Sequence, residues 1–132
     1  SPRGAVLSSN EPIDESVILK LRTDYGDEDG SLLVGLIEAF VDETRILQQA
    51  TQVTENAEAG LRLAQVAHRL KSAAATLGAR NVVRLCQALE VAERAGDKTS
   101  SSTALAGLMP AIVRARASLA RIAKATESAK GA

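Results

Sequence analysis

Apolar residues recur at helical spacing along almost the whole chain, and glycines cut the pattern into segments. This feature constrains the fold most. Leu33, Leu36, Ile37, Phe40, Val41 and Leu47 share one face of a helix predicted from Ser31 to about residue 53. Asn56 is a plausible N-cap for a helix over 57–77, which Gly78 ends by letting the chain turn. Val82, Leu85, Cys86 and Leu89 mark another helix over 80–95, closed by Gly96. A last helix is predicted over 104–126, with Pro110 either kinking it or starting a fresh helix. Ahead of these, Asp14 can cap a short helix over 15–24 whose apolar side is Val17, Ile18 and Leu21. Long helices joined by short breaks pack as antiparallel neighbours. The expected architecture is therefore all-α, an antiparallel up-down four-helix bundle with a short extra N-terminal helix.

Residues 1–12 read as a flexible leader, 13–127 as the bundle and 128–132 as a flexible tail. The polar run Lys98 to Thr103 reads as a loop. The acidic run Asp27 to Asp29 reads as a solvated turn with capping duty, since it lacks the fuller ligand pattern of a calcium loop. The opening Ser1-Pro2-Arg3-Gly4, with no initiator Met, suggests an excised domain, so a larger parent protein is expected.

Composition narrows the function. Lys and Arg total 16 against 16 Asp and Glu, and aromatics are only 2%, which argues against a nucleic-acid partner. No apolar run suits a membrane span and no signal peptide is visible. The single Cys86 excludes an internal disulfide and a Cys-rich metal site, fits a reducing, cytoplasmic setting, and lies on an apolar stripe as a packing residue. With one His, a metal-assisted hydrolase has too few ligands.

That lone histidine is the candidate for chemistry. At about 100° per residue, with His68 at zero, Leu63, Val66, Leu70, Ala73, Ala74 and Leu77 fall between roughly 140° and 240°. His68 is therefore placed outward, opposite the core stripe. Ala64, Ser72, Ala75 and Leu61 lie within about 40° of it and Lys71 about 60° away. All of the first four except Leu61 are small, so the imidazole stands in a clearing that another protein can approach. The plainer explanation, that Ala is simply a good helix former, stays open. A neutral imidazole is a competent nucleophile near pH 7, and a cation one turn away can steady charge on phosphoryl oxygens.

The segment His68-Arg69-Leu70-Lys71-Ser72-Ala73-Ala74-Ala75-Thr76-Leu77-Gly78 resembles the signature of histidine phosphotransfer (HPt) domains, H-x-[hydrophobic]-K-G-[small]-[small]-x-x-[hydrophobic]-G. Leu85-Cys86-Gln87-Ala88-Leu89-Glu90 is similar to the family's L-C-x-x-L-E stretch. The likeness covers about 13–120 and is most specific over 67–96. It implies phosphorylation of His68 on Nε2, with Lys71 near the phosphoryl group and Glu90 hydrogen-bonding the other ring nitrogen. A surface salt bridge between Glu90 and Arg94 is the competing account of Glu90. Partner contact is expected from Leu61, Ala64, Arg69, Ser72 and Ala75 on the histidine's helix, and from Gln87 and Arg94 on the next. Ser72 stands where the family commonly has Gly; its hydroxyl can reach a phosphoryl oxygen or its own helix backbone.

The resemblance implies a phosphorelay intermediate that takes a phosphoryl group from a receiver-domain aspartate and passes it to a response-regulator aspartate. It implies no metal or cofactor of its own, Mg²⁺ being supplied by the receiver, and no P-loop or other nucleotide site is present. A hybrid sensor kinase is the expected parent, holding the domain in the cytoplasm and tethering it to a membrane. Two alternatives remain: the phospho-accepting domain of a chemotaxis-type kinase, and a helical adaptor without chemistry.

Overall fold

The computed structural model describes residues 11–52 and 57–131. Five helices follow one another: α1 (Glu15–Asp24), α2 (Ser31–Ala50), α3 (Ala57–Thr76), α4 (Arg80–Ala95) and α5 (Lys98–Gly131). The last four form a four-helix bundle in which each packs against its chain neighbour and α5 returns to α2, while α1 rests on α2 and α3. No strand occurs among the described residues. Phe40, Leu33, Leu47, Leu70, Leu77, Leu89, Leu108, Ile112 and Leu119 are fully buried along the bundle axis. Burying such side chains is worth roughly 1.5–3 kcal/mol each, which offsets the entropy of ordering the helices.

The helix starts follow from short polar side chains. Asp14 caps α1 by accepting from the Ser16 backbone N–H at 3.1 Å. Asp27 accepts from the backbone N–H groups of Leu32 and Leu33, each at 3.0 Å, which satisfies free donors at the start of α2. The capping expected of the acidic run is present, but Asp27 is buried rather than solvated, and Arg22 donates to its carbonyl at 2.9 Å. At the start of α5, Asp97 accepts from the Ser100 N–H at 3.1 Å and from the Ser100 hydroxyl at 2.7 Å.

That last cap overturns one expectation. Lys98 to Thr103 is not a loop but the opening of α5, because Asp97 supplies the N-terminal partner that a Ser-rich turn lacks by propensity alone. Pro110 lies inside this single helix on its exposed face. It costs the bond to the Ala106 carbonyl, which also faces solvent and can be satisfied by water. α5 continues through Gly131, taking in residues 128–131 that the sequence pattern places in a tail. α2 ends at Ala50, with Thr51 and Gln52 in a turn. The Asn56 cap and residues 1–10 of the leader lie outside the described residues. Among the described residues, no helix is long and apolar enough to cross a membrane.

Gly78 fixes the α3–α4 turn for two reasons. Its φ is +74°, a conformation that L side chains rarely adopt. A Cβ there would also sit 2.6 Å from the Asp14 carbonyl oxygen. The Asp14 N–H donates to the Gly78 carbonyl at 2.8 Å, and Arg80 pairs with the Asp14 carboxylate at 2.5 Å. The N-terminal helix is thereby seated on the turn that sets the register of α3 against α4.

Candidate functional site

His68 lies partway along α3, with its side chain 56% exposed. The buried arc of this helix is wider than its large apolar residues suggest. Ala64 and Ala67 are both fully buried, which extends the arc to roughly 320° on the same helical wheel. His68 therefore stands at the rim of the buried face, on the side toward α4, and not diametrically opposite it. This corrects the expectation that Ala64 lies open for partner contact: it has no exposed surface. Two physical reasons account for that. α4 covers this flank, and helical side chains lean toward the N-terminal turn, which carries the His68 ring over Ala64.

The rim position brings His68 to Glu90 on α4. Both residues lie a similar distance from the Gly78 turn, and the antiparallel pair sets them level. His68 Nδ1 is 3.2 Å from Glu90 Oε1. Lys71 Nζ donates to the same Oε1 at 3.1 Å and to Gln87 Oε1 at 2.6 Å. Arg94 Nε donates to Glu90 Oε2 at 3.4 Å. Glu90 thus joins two partners on one oxygen and its salt bridge to Arg94 on the other, so both accounts of this residue describe part of it. Among the described residues, no group hydrogen-bonds His68 Nε2.

The electrostatics follow from this crowding. Burial pushes the Glu90 carboxyl up, but hydrogen bonds from Lys71 and then His68 outweigh it, so Glu90 titrates below the ordinary carboxylate value. It is therefore ionised at neutral pH. A carboxylate accepts only, so His68 must present an N–H at Nδ1, which leaves the Nε2 lone pair of the neutral ring free. Burial pushes the Cys86 thiol up as well, and there it prevails, to about 12. It packs in the core as expected.

The remaining candidates spread around this centre. Leu61, Ser72 and Ala75 on α3 and Gln87 and Arg94 on α4 are exposed. Ser72 Oγ makes a long contact, 3.4 Å, to the His68 carbonyl, so its hydroxyl is turned to its own helix. Arg69 is exposed and reaches Glu43 of α2 at 3.4 Å. Two features were beyond sequence reasoning. Glu43 ties α2 to the histidine's helix, and Val91, exposed beside Glu90, adds an aliphatic surface near the site. The only signal for Val91 was its place next to Glu90, off the apolar stripe of α4.

A family model described as Hpt domain matches residues 35–127, from within α2 through most of α5. No curated protein and no solved structure gave a match to the chain.

Proposed function

The chain belongs to the Hpt domain family, whose members carry phosphoryl groups between receiver and response-regulator domains without a kinase activity of their own, and from that premise we propose that His68 is the residue that carries the group. The observation behind this reading is the Nδ1 contact to Glu90 at 3.2 Å on a half-exposed ring, because in the neutral ring it keeps the proton on Nδ1 and leaves the Nε2 lone pair free.

The chemistry is an in-line displacement. The Nε2 lone pair forms the N–P bond as the bond between phosphorus and the receiver's aspartyl oxygen breaks, and that electron pair leaves on the aspartate carboxylate. No proton needs to move. The ring keeps its Nδ1 proton and becomes positive, and the Glu90 carboxylate, held ionised by its neighbours, stabilises that charge. Glu90 acts here as a hydrogen-bond acceptor and not as a base. Lys71 is the cation for the phosphoryl oxygens, although in the unmodified protein its ammonium lies on the Nδ1 side, against Glu90 and Gln87. The receiver brings the acidic pocket and its Mg²⁺.

Leu61, Ser72, Ala75, Arg69, Gln87, Val91 and Arg94 surround His68 as the surface for that receiver. A hybrid sensor kinase as parent, and a cytoplasmic position tethered through it, complete the reading. The test is a phosphotransfer profile of the wild-type domain against the receiver domains of the source genome. Transfer to and from a small subset is expected, and transfer with none of them would refute the relay assignment.

A further inference from the structure

The shortest hydrogen bond in the site does not involve the histidine. Lys71 Nζ donates to Gln87 Oε1 at 2.6 Å, against 3.1 Å to Glu90 Oε1. An ammonium has donors and no acceptor, so Gln87 must present its amide oxygen, and the orientation of the amide follows. Lys71 is only 23% exposed and lies between α3 and α4, held by two oxygens on the α4 side. The phosphoryl group would arrive at Nε2, across the ring from the nitrogen that shares Glu90 with Lys71. Two of the three ammonium donors are in use, so a phosphoryl oxygen at Nε2 competes with these partners for the position of Lys71. Glu90 is needed where it is, since the positive phosphorylated ring donates to it. The partner that can be released is Gln87, exposed and one turn before Glu90 on the same helix.

We infer that Gln87 is a positioning residue that parks Lys71 in the unphosphorylated domain and so sets how far phosphotransfer to His68 proceeds. The inference rests on the reading of His68 as the carrier and assigns Gln87 a task different from partner contact. Parking stabilises the empty domain and not the loaded one, so it biases the exchange toward the receiver.

The two roles separate in one measurement. A residue that only touches the receiver changes the forward and reverse transfer rates together and leaves the equilibrium between free species unchanged. A residue that parks Lys71 moves that equilibrium. The experiment uses the receiver of the source genome that exchanges fastest with the wild-type domain, loaded with acetyl phosphate. The final distribution of phosphoryl group between aspartate and His68 is read on a phosphate-affinity gel. Gln87→Ala should shift the equilibrium toward phospho-His68 by about threefold to tenfold, the effect of one hydrogen bond lost from the empty state. Gln87→Glu, which holds the ammonium more firmly, should shift it the other way. In a Lys71→Ala background neither substitution should move it. An unchanged equilibrium with His68 still phosphorylated overturns the role of Gln87 alone, as does a shift that persists without Lys71. A wild-type domain that accepts no phosphoryl group from any receiver overturns the reading of His68 and this inference with it.

Discussion

Glu90 Oε1 lies 3.2 Å from His68 Nδ1, although the two residues are on different helices and each belongs to a separate sequence motif. The contact depends on the Gly78 turn, which makes α3 and α4 antiparallel with both residues level, and on the buried alanines that let the helices meet on that flank. Removing the carboxylate should leave the positive phosphorylated ring without its acceptor. Glu90→Ala is expected to slow phosphoryl acceptance by roughly tenfold or more, since a hydrogen bond to a charged group is worth about 1.5–3 kcal/mol. Rapid-quench transfer from a loaded receiver measures it, and an unchanged rate would reduce Glu90 to its salt bridge with Arg94.

The same carboxylate makes a pH-dependent contribution to stability. Its pKa in the folded protein is lowered from the ordinary 4.5, so the folded state favours the ionised form. The contribution is complete above the unfolded value and is lost as pH falls through the lower folded one. The difference in melting temperature between wild type and Glu90→Gln should change as the pH falls below about 5. A difference that stays flat from about pH 5 to about 3 would contradict this.

Gly78→Ala should destabilise the domain by about 2 kcal/mol or more, combining the left-handed conformation with a Cβ that meets the Asp14 carbonyl oxygen at 2.6 Å. Urea unfolding measures the loss. Gly96→Ala is the comparison: its φ is also positive, at +69°, but nothing lies within 4 Å of its Cβ, so it should cost less. Equal costs would remove the seating of α1 from the account.

Cys86 should be inert in the folded protein. Its thiol is buried and held up to about 12, so almost no thiolate is present at pH 8. Labelling by an aromatic disulfide reagent should await unfolding, and prompt labelling of native protein would place the thiol elsewhere than in the core.

Much of this molecule is legible in its sequence. The glycines at 78 and 96, the Asp14 cap and the apolar periodicity locate α1, α3 and α4 to within a residue, because each signal acts locally. Where reading fails, the deciding partner is distant or small. The opening of α5 depends on Asp97 reaching Ser100, which a Ser-rich composition conceals. Large side chains alone point the apolar face of α3 away from His68, yet Ala64 and Ala67 are fully buried too, and alanine carries little hydropathy with which to announce it. That shift of the buried face also decides where Lys71 sits. Its ammonium was expected on the histidine's flank, and the interhelical oxygens of Gln87 and Glu90 draw it toward α4.

Phosphorylation of His68 on Nε2 is the step on which the proposed relay rests. Incubation with a loaded receiver, followed by phosphosite mapping and ³¹P NMR at alkaline pH, tests it most directly. One acid-labile phosphoryl group is expected on Nε2 of His68 and none on His68→Gln, which should still fold, losing no more than about 1.5 kcal/mol because a half-exposed side chain gives up one hydrogen bond. A phosphoryl group on Nδ1, on another residue, or on a folded His68→Gln variant would contradict it.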